Sequence, residues 1–320
     1  MIRPITAERP LKILGFTDMH LDGNAACARW TLRLMEETVA AEAPDMVIFE
    51  GDNVTGGDNR GRAEQLTAAM TALGVPWCPI LGNHEGDNPF SISRQEMARI
   101  FRTSPCCLMP EKPAFLADGG RVDGETNYAV TLTGEAGQPC FRLIFLDGGG
   151  DMAPADVRRF GLSGETRHLY DYVKESQIAW YREQAAGCPS AVFCHIPLPE
   201  FEAGYAQGER LAGANRERVC CPMHNSGLFD AMRVCGTVLC VAGHDHINDS
   251  RVRYRGVTLM YNRMSGLSSY NVISKGLGDR LIQGCSVYTV TAAGDISVGD
   301  IFYEDRYPRY REEIYRIIRR

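Results

Sequence analysis

The sequence predicts an α/β fold, and three observations carry that expectation. Over residues 11–81, short apolar runs alternate with helix-like segments in a β-α-β-α-β order, which calls for parallel strands and right-handed crossovers. Past His246 the apolar runs are separated by turns without a long helix, so that part reads as antiparallel. Polar residues able to bind metal follow directly on the apolar runs, where ligands gather in open α/β sheets. No linker divides the 320 residues, so one domain spanning 1–320 is expected, ending in a basic tail at about 307–320.

The elements follow in order. Residues 11–17 form an apolar strand ending in Asp18-Met19-His20, and residues 26–43 have helical spacing. A strand at 46–49 runs into Glu50-Gly51-Asp52-Asn53; a helix at about 62–73 and a strand at 77–81 lead into Gly82-Asn83-His84-Glu85. Pro105, Pro110 and Pro113 break the stretch 94–125 into a helix followed by surface loop. Strands at 127–133 and 141–146 flank a turn, and a polar stretch at 151–170 has the composition of a surface excursion. A helix at 172–186 precedes the strand 191–194, which delivers His195; Pro197 and Pro199 then turn the chain out of the sheet. A loop at 204–221, a helix at 227–233 and the run 237–242 lead to Gly243-His244-Asp245-His246. Strands at 252–254, 257–261, 285–291 and 296–303 follow, and the tail is expected to be a solvated terminal helix.

Composition narrows the function. With 44% hydrophobic and 23% charged residues, the chain is an ordinary globular protein. A net charge of −6 weighs against nucleic acid as the main partner. No apolar run is long enough to span a membrane, and the first ten residues lack the apolar stretch of a signal peptide. None of the twelve cysteines forms a Cys-x-x-Cys pair, so reduced thiols and a cytoplasmic location are expected.

Five apolar strands end in Asp18/His20, Asp52, Asn83/His84, His195 and His244/His246, and these places hold five of the seven histidines. In an extended backbone His244 and His246 share a face, whereas Cys194 points away from His195. Imidazole and carboxylate without thiolate suit zinc, iron or manganese. Asp18, His20, Asp52, Asn83, His195, His244 and His246 are too many ligands for one tetrahedral ion. They suit two ions sharing a carboxylate, about 3.5–4 Å apart.

Asp18-x-His20, Gly51-Asp52-Asn53, Gly82-Asn83-His84-Glu85, His195 and Gly243-His244-Asp245-His246 together resemble the signature of the calcineurin-like metallophosphoesterases, in order and approximate spacing over residues 11–250. The resemblance implies two packed mixed β-sheets flanked by helices, a four-layer sandwich. It implies that Asp18, His20 and His246 bind one metal, that Asn83, His195 and His244 bind the other, and that Asp52 bridges them. His84 would contact the phosphate and assist the leaving group. His195-Ile196-Pro197-Leu198-Pro199-Glu200 and Asn248-Asp249 resemble the purple-acid-phosphatase-like proteins of plants and fungi. Thr55 stands where true purple acid phosphatases carry their iron-ligating tyrosine, so no tyrosinate-to-iron colour is expected.

The expected activity is hydrolysis of a small phosphomonoester, with a metal-bridging hydroxide as nucleophile and His84 as general acid. A phosphodiesterase or nuclease on the same site is the alternative, and a non-catalytic scaffold a more distant one. Glu85 reads equally as an orienting group or a surface carboxylate, Asp22 as a turn residue and Asp249 as a partner behind the ligands. His224 and Arg263 read as ordinary surface residues. The loops at about 86–125, 148–170 and 199–225 carry no readable substrate code, and the sequence is silent on oligomeric state.

Overall fold

Three strands and two helices make the expected opening: β1 (Leu11–Phe16), α1 (Ala25–Glu42), β2 (Met46–Glu50), α2 (Asn59–Leu73) and β3 (Trp77–Ile80), with the strands parallel neighbours. The computed structural model describes residues 4–6, 8–164 and 167–318. The Asn24 side chain starts α1 by accepting from the amides of Ala26 and Cys27, and Ala43 ends it in a left-handed conformation. There follow α3 (Arg94–Phe101), β4 (Tyr128–Thr133), β5 (Pro139–Leu146), α4 (Pro154–Phe160), α5 (Glu175–Ala185) and β6 (Ser190–Cys194). Next come α6 (Glu200–Gln207), β7 (Glu209–Ala212), α7 (Leu228–Cys235), β8 (Thr237–Ala242), β9 (Arg251–Tyr254) and β10 (Val257–Tyr261). The chain closes with β11 (Gly284–Val290), β12 (Ile296–Phe302), the short α8 (Tyr303–Arg306) and α9 (Arg311–Ile318).

These strands build two mixed sheets, one of five strands in the order β12-β11-β1-β2-β3 and one of seven in the order β4-β5-β6-β8-β10-β9-β7. Period-two alternation assigns each side chain a layer. Phe141, Leu143 and Phe145 of β5, Phe193 of β6 and Val241 of β8 face the five-stranded sheet, where Phe193 meets Tyr288 edge-on; Phe16 and Phe49, on the other face of that sheet, stack on each other beside Trp77. Their neighbours Ile144, Val192, Cys194 and Cys240 face outward, under Tyr181 of α5 and Phe229 of α7. Helices α1, α2 and α3 cover the other side of the five-stranded sheet through Met35, Leu66 and Met97. The result is the four-layer sandwich of helices, two sheets and helices. Among the described residues no helix is long and apolar enough to cross a membrane.

Four local expectations are corrected. The stretch 151–170 contains α4, and its ends are pinned together by a bridge between Asp151 and Tyr170, so it is a closed strap rather than a free excursion. The stretch 204–221 contributes the end of α6 and an edge strand, β7, which pairs with β9. β10 runs parallel to β8, because β9 is laid outside it, between β10 and the edge strand β7, and the chain then returns inward. The tail is not a freely solvated helix: α9 buries Ile314 in a cluster with Cys27 and Leu34 of α1. Its apolar positions fall on one face, which supplies the reason it docks.

Arg263 is likewise not a surface residue. Its side chain is 4% exposed, donates to Asp249 Oδ2 at 2.7 Å and lies 3.9 Å from the centre of the Phe302 ring. Asp249 Oδ1 also accepts from the amide of Ala214, so this carboxylate ties the segment after His246 to the loop before α7. Asp249→Ala leaves a buried guanidinium without that partner and is expected to cost about 3–5 kcal/mol, read as a lower denaturation midpoint in urea. An Asp249→Leu, Arg263→Met double variant should recover part of the loss, since the fully buried guanidinium is gone, while Arg216, which also bonds Asp249 Oδ1, still lacks its partner. A double variant as unstable as Asp249→Ala would refute that origin.

Candidate metal centre

The carboxyl ends of β1, β2, β3, β6 and β8 converge between the sheets, and the turns that follow them carry the polar residues of the site. Asp18, His20, Asp52, His195, His244 and His246 are all at most 8% exposed. Asp18, His20, Asp52 and His244 adopt positive φ, of 50°, 44°, 48° and 74°, a conformation costly for residues with a Cβ and maintained here by the packed turns. Gly82 and Gly243 make the close approach possible. A Cβ on Gly82 would lie 2.2 Å from Asp52 Oδ1, and one on Gly243 would lie 2.1 Å from Thr17 Oγ1.

Two groups of three result. The ligand atoms of Asp18, His20 and His246 lie within 4.8 Å of one another, as do those of Asp52, His195 and His244. Asp52 Oδ2 faces both groups, 3.0 Å from His195 Nε2 and 3.6 Å from His20 Nε2. Asp18 Oδ1 stands 3.4 Å from His246 Nε2 and 3.6 Å from His20 Nε2. Asn83 Oδ1 is a buried atom without a hydrogen-bond partner. His84, partly exposed, places Nε2 4.0 Å from Asp52 Oδ2, while its Nδ1 is hydrogen-bonded to Asp87.

In several of these side chains one polar atom is tied back and the other left free. Asp18 Oδ2 accepts from Thr17 Oγ1 at 2.9 Å and from the His244 amide at 3.0 Å, leaving Oδ1 unpartnered. Asp52 Oδ1 accepts from the His84 amide at 2.8 Å, leaving Oδ2 unpartnered. His195 Nδ1 lies 2.9 Å from the Glu50 carbonyl, which requires the proton on Nδ1 and frees Nε2. Ser269 Oγ holds His246 Nδ1 at 2.8 Å, and His244 Nε2 is again without a partner. Unsatisfied buried polar atoms are costly and rare, so a cluster of them aimed at one point is the signature of a ligand-binding centre.

The same burial sets the electrostatics. Desolvation acts to raise Asp18 and Asp52, but the charge on His195 together with the hydrogen bonds and charges of the neighbouring histidines outweighs it, and both are held below the usual carboxylate range. Burial acts to lower His195, whereas the carboxylates of Asp52 and Asp18 raise it to about 10. His244 is pushed down to about 3 by burial and by the neighbouring charge on His195. His84 is raised: burial opposes its charge, but Asp52 and the hydrogen bond to Asp87 prevail.

Glu85 resolves as an orienting group. It is fully buried and accepts from the amides of Gly82 at 2.7 Å, Asn53 at 2.6 Å and Asp52 at 3.2 Å, clamping the second and third turns together. Asp22 is a turn residue, accepting from the Asn24 amide. His224 stacks on Phe160 with ring centres 3.7 Å apart, and Cys194 faces away from the centre. Four contributors carried no readable signal. Arg94 bonds both the Gly82 carbonyl and buried Asp147, fixing the turn that holds Asn83. Tyr170 packs edge-on against His244 with centres 4.5 Å apart, and Tyr270 lies against His246 at the same separation.

The profile of the family described as calcineurin-like phosphoesterase matches residues 11–248. The chain is 30% identical over 280 residues to probable inactive purple acid phosphatase 14 of Arabidopsis thaliana, covering 79% of this chain and 66% of that protein. It is 26% identical to Phosphatase DCR2 of Saccharomyces cerevisiae, over 78% of this chain and 46% of that protein. The match therefore spans just under two thirds of the plant relative and less than half of the yeast one. The crystal structure of a dimetal phosphatase from Danio rerio shares the fold, with a TM-score of 0.60 at 14% identity over 93% of this chain and 96% of that one. With the profile covering most of its length and the strand-end residues brought together, the chain belongs to the calcineurin-like phosphoesterase family.

Proposed function

We propose that the chain is a dinuclear metal-dependent phosphatase that hydrolyses a small phosphomonoester. The observation that supports this most is the set of buried atoms at the strand ends that make no hydrogen bond, Asp18 Oδ1, Asp52 Oδ2, Asn83 Oδ1, His195 Nε2 and His244 Nε2, with Asp52 Oδ2 and His195 Nε2 facing each other at 3.0 Å. The donors are oxygen and imidazole nitrogen, which fit manganese, iron or zinc. Asp18, His20 and His246 would hold one ion and Asn83, His195 and His244 the other, with Asp52 serving both. When bound, such a pair of cations lowers the pKa of water and neutralises charge on the phosphoryl group.

The chain's own residues supply the rest. His84 stands at the open side of the site and donates a proton to the departing alcohol oxygen. Asp87 holds His84 Nδ1, so Nε2 is the nitrogen presented to the site. Glu85 and Arg94 keep the turn bearing Asn83 and His84 rigid, which is what a positioned acid needs. Thr55 offers no phenolate, so the metals need not include a tyrosinate-bound iron.

Reconstitution with manganese, iron or zinc followed by elemental analysis should saturate at two ions per chain, accompanied by hydrolysis of phosphomonoesters in preference to diesters. Because His195 is raised to about 10, metal uptake should release a proton and tighten as pH rises toward that value. A ceiling at one ion would remove the shared role of Asp52. Two bound ions with a preference for diesters would favour the phosphodiesterase reading. The plant relative's name calls it probable inactive. Two ions without turnover on any phosphoester would place this chain with it as a non-catalytic binder.

A further inference from the structure

One stretch of chain, residues 264–270, runs between α9 and the candidate centre. Its start is sewn to the end of β1: the Ser265 amide donates to the Thr17 carbonyl at 2.9 Å and the Gly266 amide to the Asp18 carbonyl at 3.0 Å. A Cβ on Gly266 would stand 2.3 Å from the Met19 carbonyl oxygen, so the two backbones touch there. Farther on, Ser269 Oγ meets His246 Nδ1 at 2.8 Å, and the Tyr270 ring lies 4.5 Å from that of His246. His246 Nε2 faces Asp18 Oδ1 at 3.4 Å and His20 Nε2 at 3.1 Å. A ligating Nε2 requires the proton on Nδ1, and that N–H then donates to Ser269, which fixes both tautomer and ring orientation.

The other side of the stretch is held by helices. Leu267, just before the two serines, is buried in the cluster that joins Cys27 and Leu34 of α1 to Ile314 of α9, and its amide donates to Thr31 Oγ1 of α1 at 3.2 Å. Leu267 and Ile314 wall a cavity of about 10 Å³ together with Gln283, room for about one water. Neither polar atom of the buried Gln283 amide makes a hydrogen bond within the chain. From outside, α9 is clamped on Glu304, by Arg311 at 3.1 Å and by the Tyr315 hydroxyl at 2.9 Å. A contact with a polar floor that water can solvate is easier to open than a close-packed apolar one, so α9 can lift without unfolding the sandwich.

We propose that α9 is a positioning element for the first metal position, that of Asp18, His20 and His246, and acts on it through Leu267 and Ser269. The inference rests on the dinuclear reading above and gives the last described helix a part in it. With α9 docked, Leu267 anchors the stretch and Ser269 keeps the His246 ring aimed at Asp18 and His20. With α9 released, Leu267 loses the wall that Ile314 provides, and Ser269 no longer holds Nδ1 in place. The second position is tied differently: His195 Nδ1 donates to the Glu50 carbonyl at 2.9 Å, at the end of β2. One ion should therefore depend on α9 and the other should not.

Manganese binding to the full chain, followed by calorimetry, tests this without reference to turnover. Ile314→Asp should weaken one of the two ions about 10–100-fold, the range for losing a partner behind a ligand, and leave the other unchanged. Ser269→Ala should do the same, whereas Ser269→Thr, which keeps the hydroxyl, should bind as the native chain does. The double variant Ser269→Ala, Ile314→Asp should lose no more than Ser269→Ala alone, because both changes act through one hydrogen bond. Hydrogen exchange follows the route: in Ile314→Asp, protection should fall in α9 and at the Gly266 and Leu267 amides but not along β2 and β6. The milder Ile314→Ala should shift the same quantities in the same direction and serves where Ile314→Asp fails to fold. Equal weakening of both ions, additive losses in the double variant, or native binding with α9 released would overturn the inference while leaving the dinuclear reading intact. A native chain that takes up a single ion would sink the dinuclear reading and this inference with it. Two ions bound natively without turnover of any phosphoester, one of them sensitive to Ile314→Asp, would uphold the role of α9 and sink only the phosphatase reading.

Discussion

Asp52→Asn is expected to lower turnover roughly 10³-fold or more and to strip bound metal more thoroughly than His20→Ala or His195→Ala. Asp52 is the side chain that faces both groups of ligands, with Oδ2 3.0 Å from His195 Nε2 and 3.6 Å from His20 Nε2. The substitution is nearly isosteric. The amide oxygen can still accept from the His84 amide, as Oδ1 does at 2.8 Å, so the turn should persist. What is lost is the negative charge, which also holds His195 in its raised state. Metal content, activity and thermal midpoint compared across the three variants separate these effects. Retention of both ions by Asp52→Asn, with loss of both in His195→Ala, would reassign the shared position to another residue.

His84→Asn should do the reverse, keeping near-native metal content while slowing hydrolysis of an ester with a basic leaving group roughly 10²–10⁴-fold. His84 is the one histidine of the set that is partly exposed, and it makes no hydrogen bond to another member of the set through its ring. Its backbone amide carries the bond to Asp52, which an asparagine preserves. A nitrophenyl ester, whose leaving group needs little protonation, should lose much less. Equal losses on both esters would make His84 an electrostatic contact to the phosphoryl oxygens rather than an acid. Loss of an ion from His84→Asn would instead make it a ligand. Since Asp87 and Asp52 raise the pKa of His84, the protonated form should persist to higher pH than for an ordinary histidine, and activity requiring it should decline only on the alkaline side of that raised value.

The sequence by itself determined the strand-end positions and, at the end of β6, the direction of the side chains; Asp18, His20 and His244 stand beyond their strands in turns of positive φ, so the extended alternation expected for His244 and His246 does not describe them. Local periodicity decides on which face a residue falls, so His195 could be aimed at the site and Cys194 away from it, and both stand so. The gathering of Asp18, Asp52, Asn83, His195 and His244 was legible for a related reason: parallel strands joined by crossovers bring their carboxyl ends to one edge. Glu85 was not decidable from its neighbours, because its amide partners at Asp52 and Asn53 lie more than thirty residues away. Arg263 looked like a surface arginine until the segment around Asp249 closed over it. Arg94, at the start of α3, and Asp147, just past β5, are 53 residues apart and meet only where the ends of the two sheets come together. Tyr170 reaches His244 because the strap 151–170 is pinned at its two ends, which no periodicity within the strap encodes. Side-chain direction is a property of the local backbone, but a partner distant in sequence is assigned by whichever loop folds over the site, and that was decided in the tertiary structure alone.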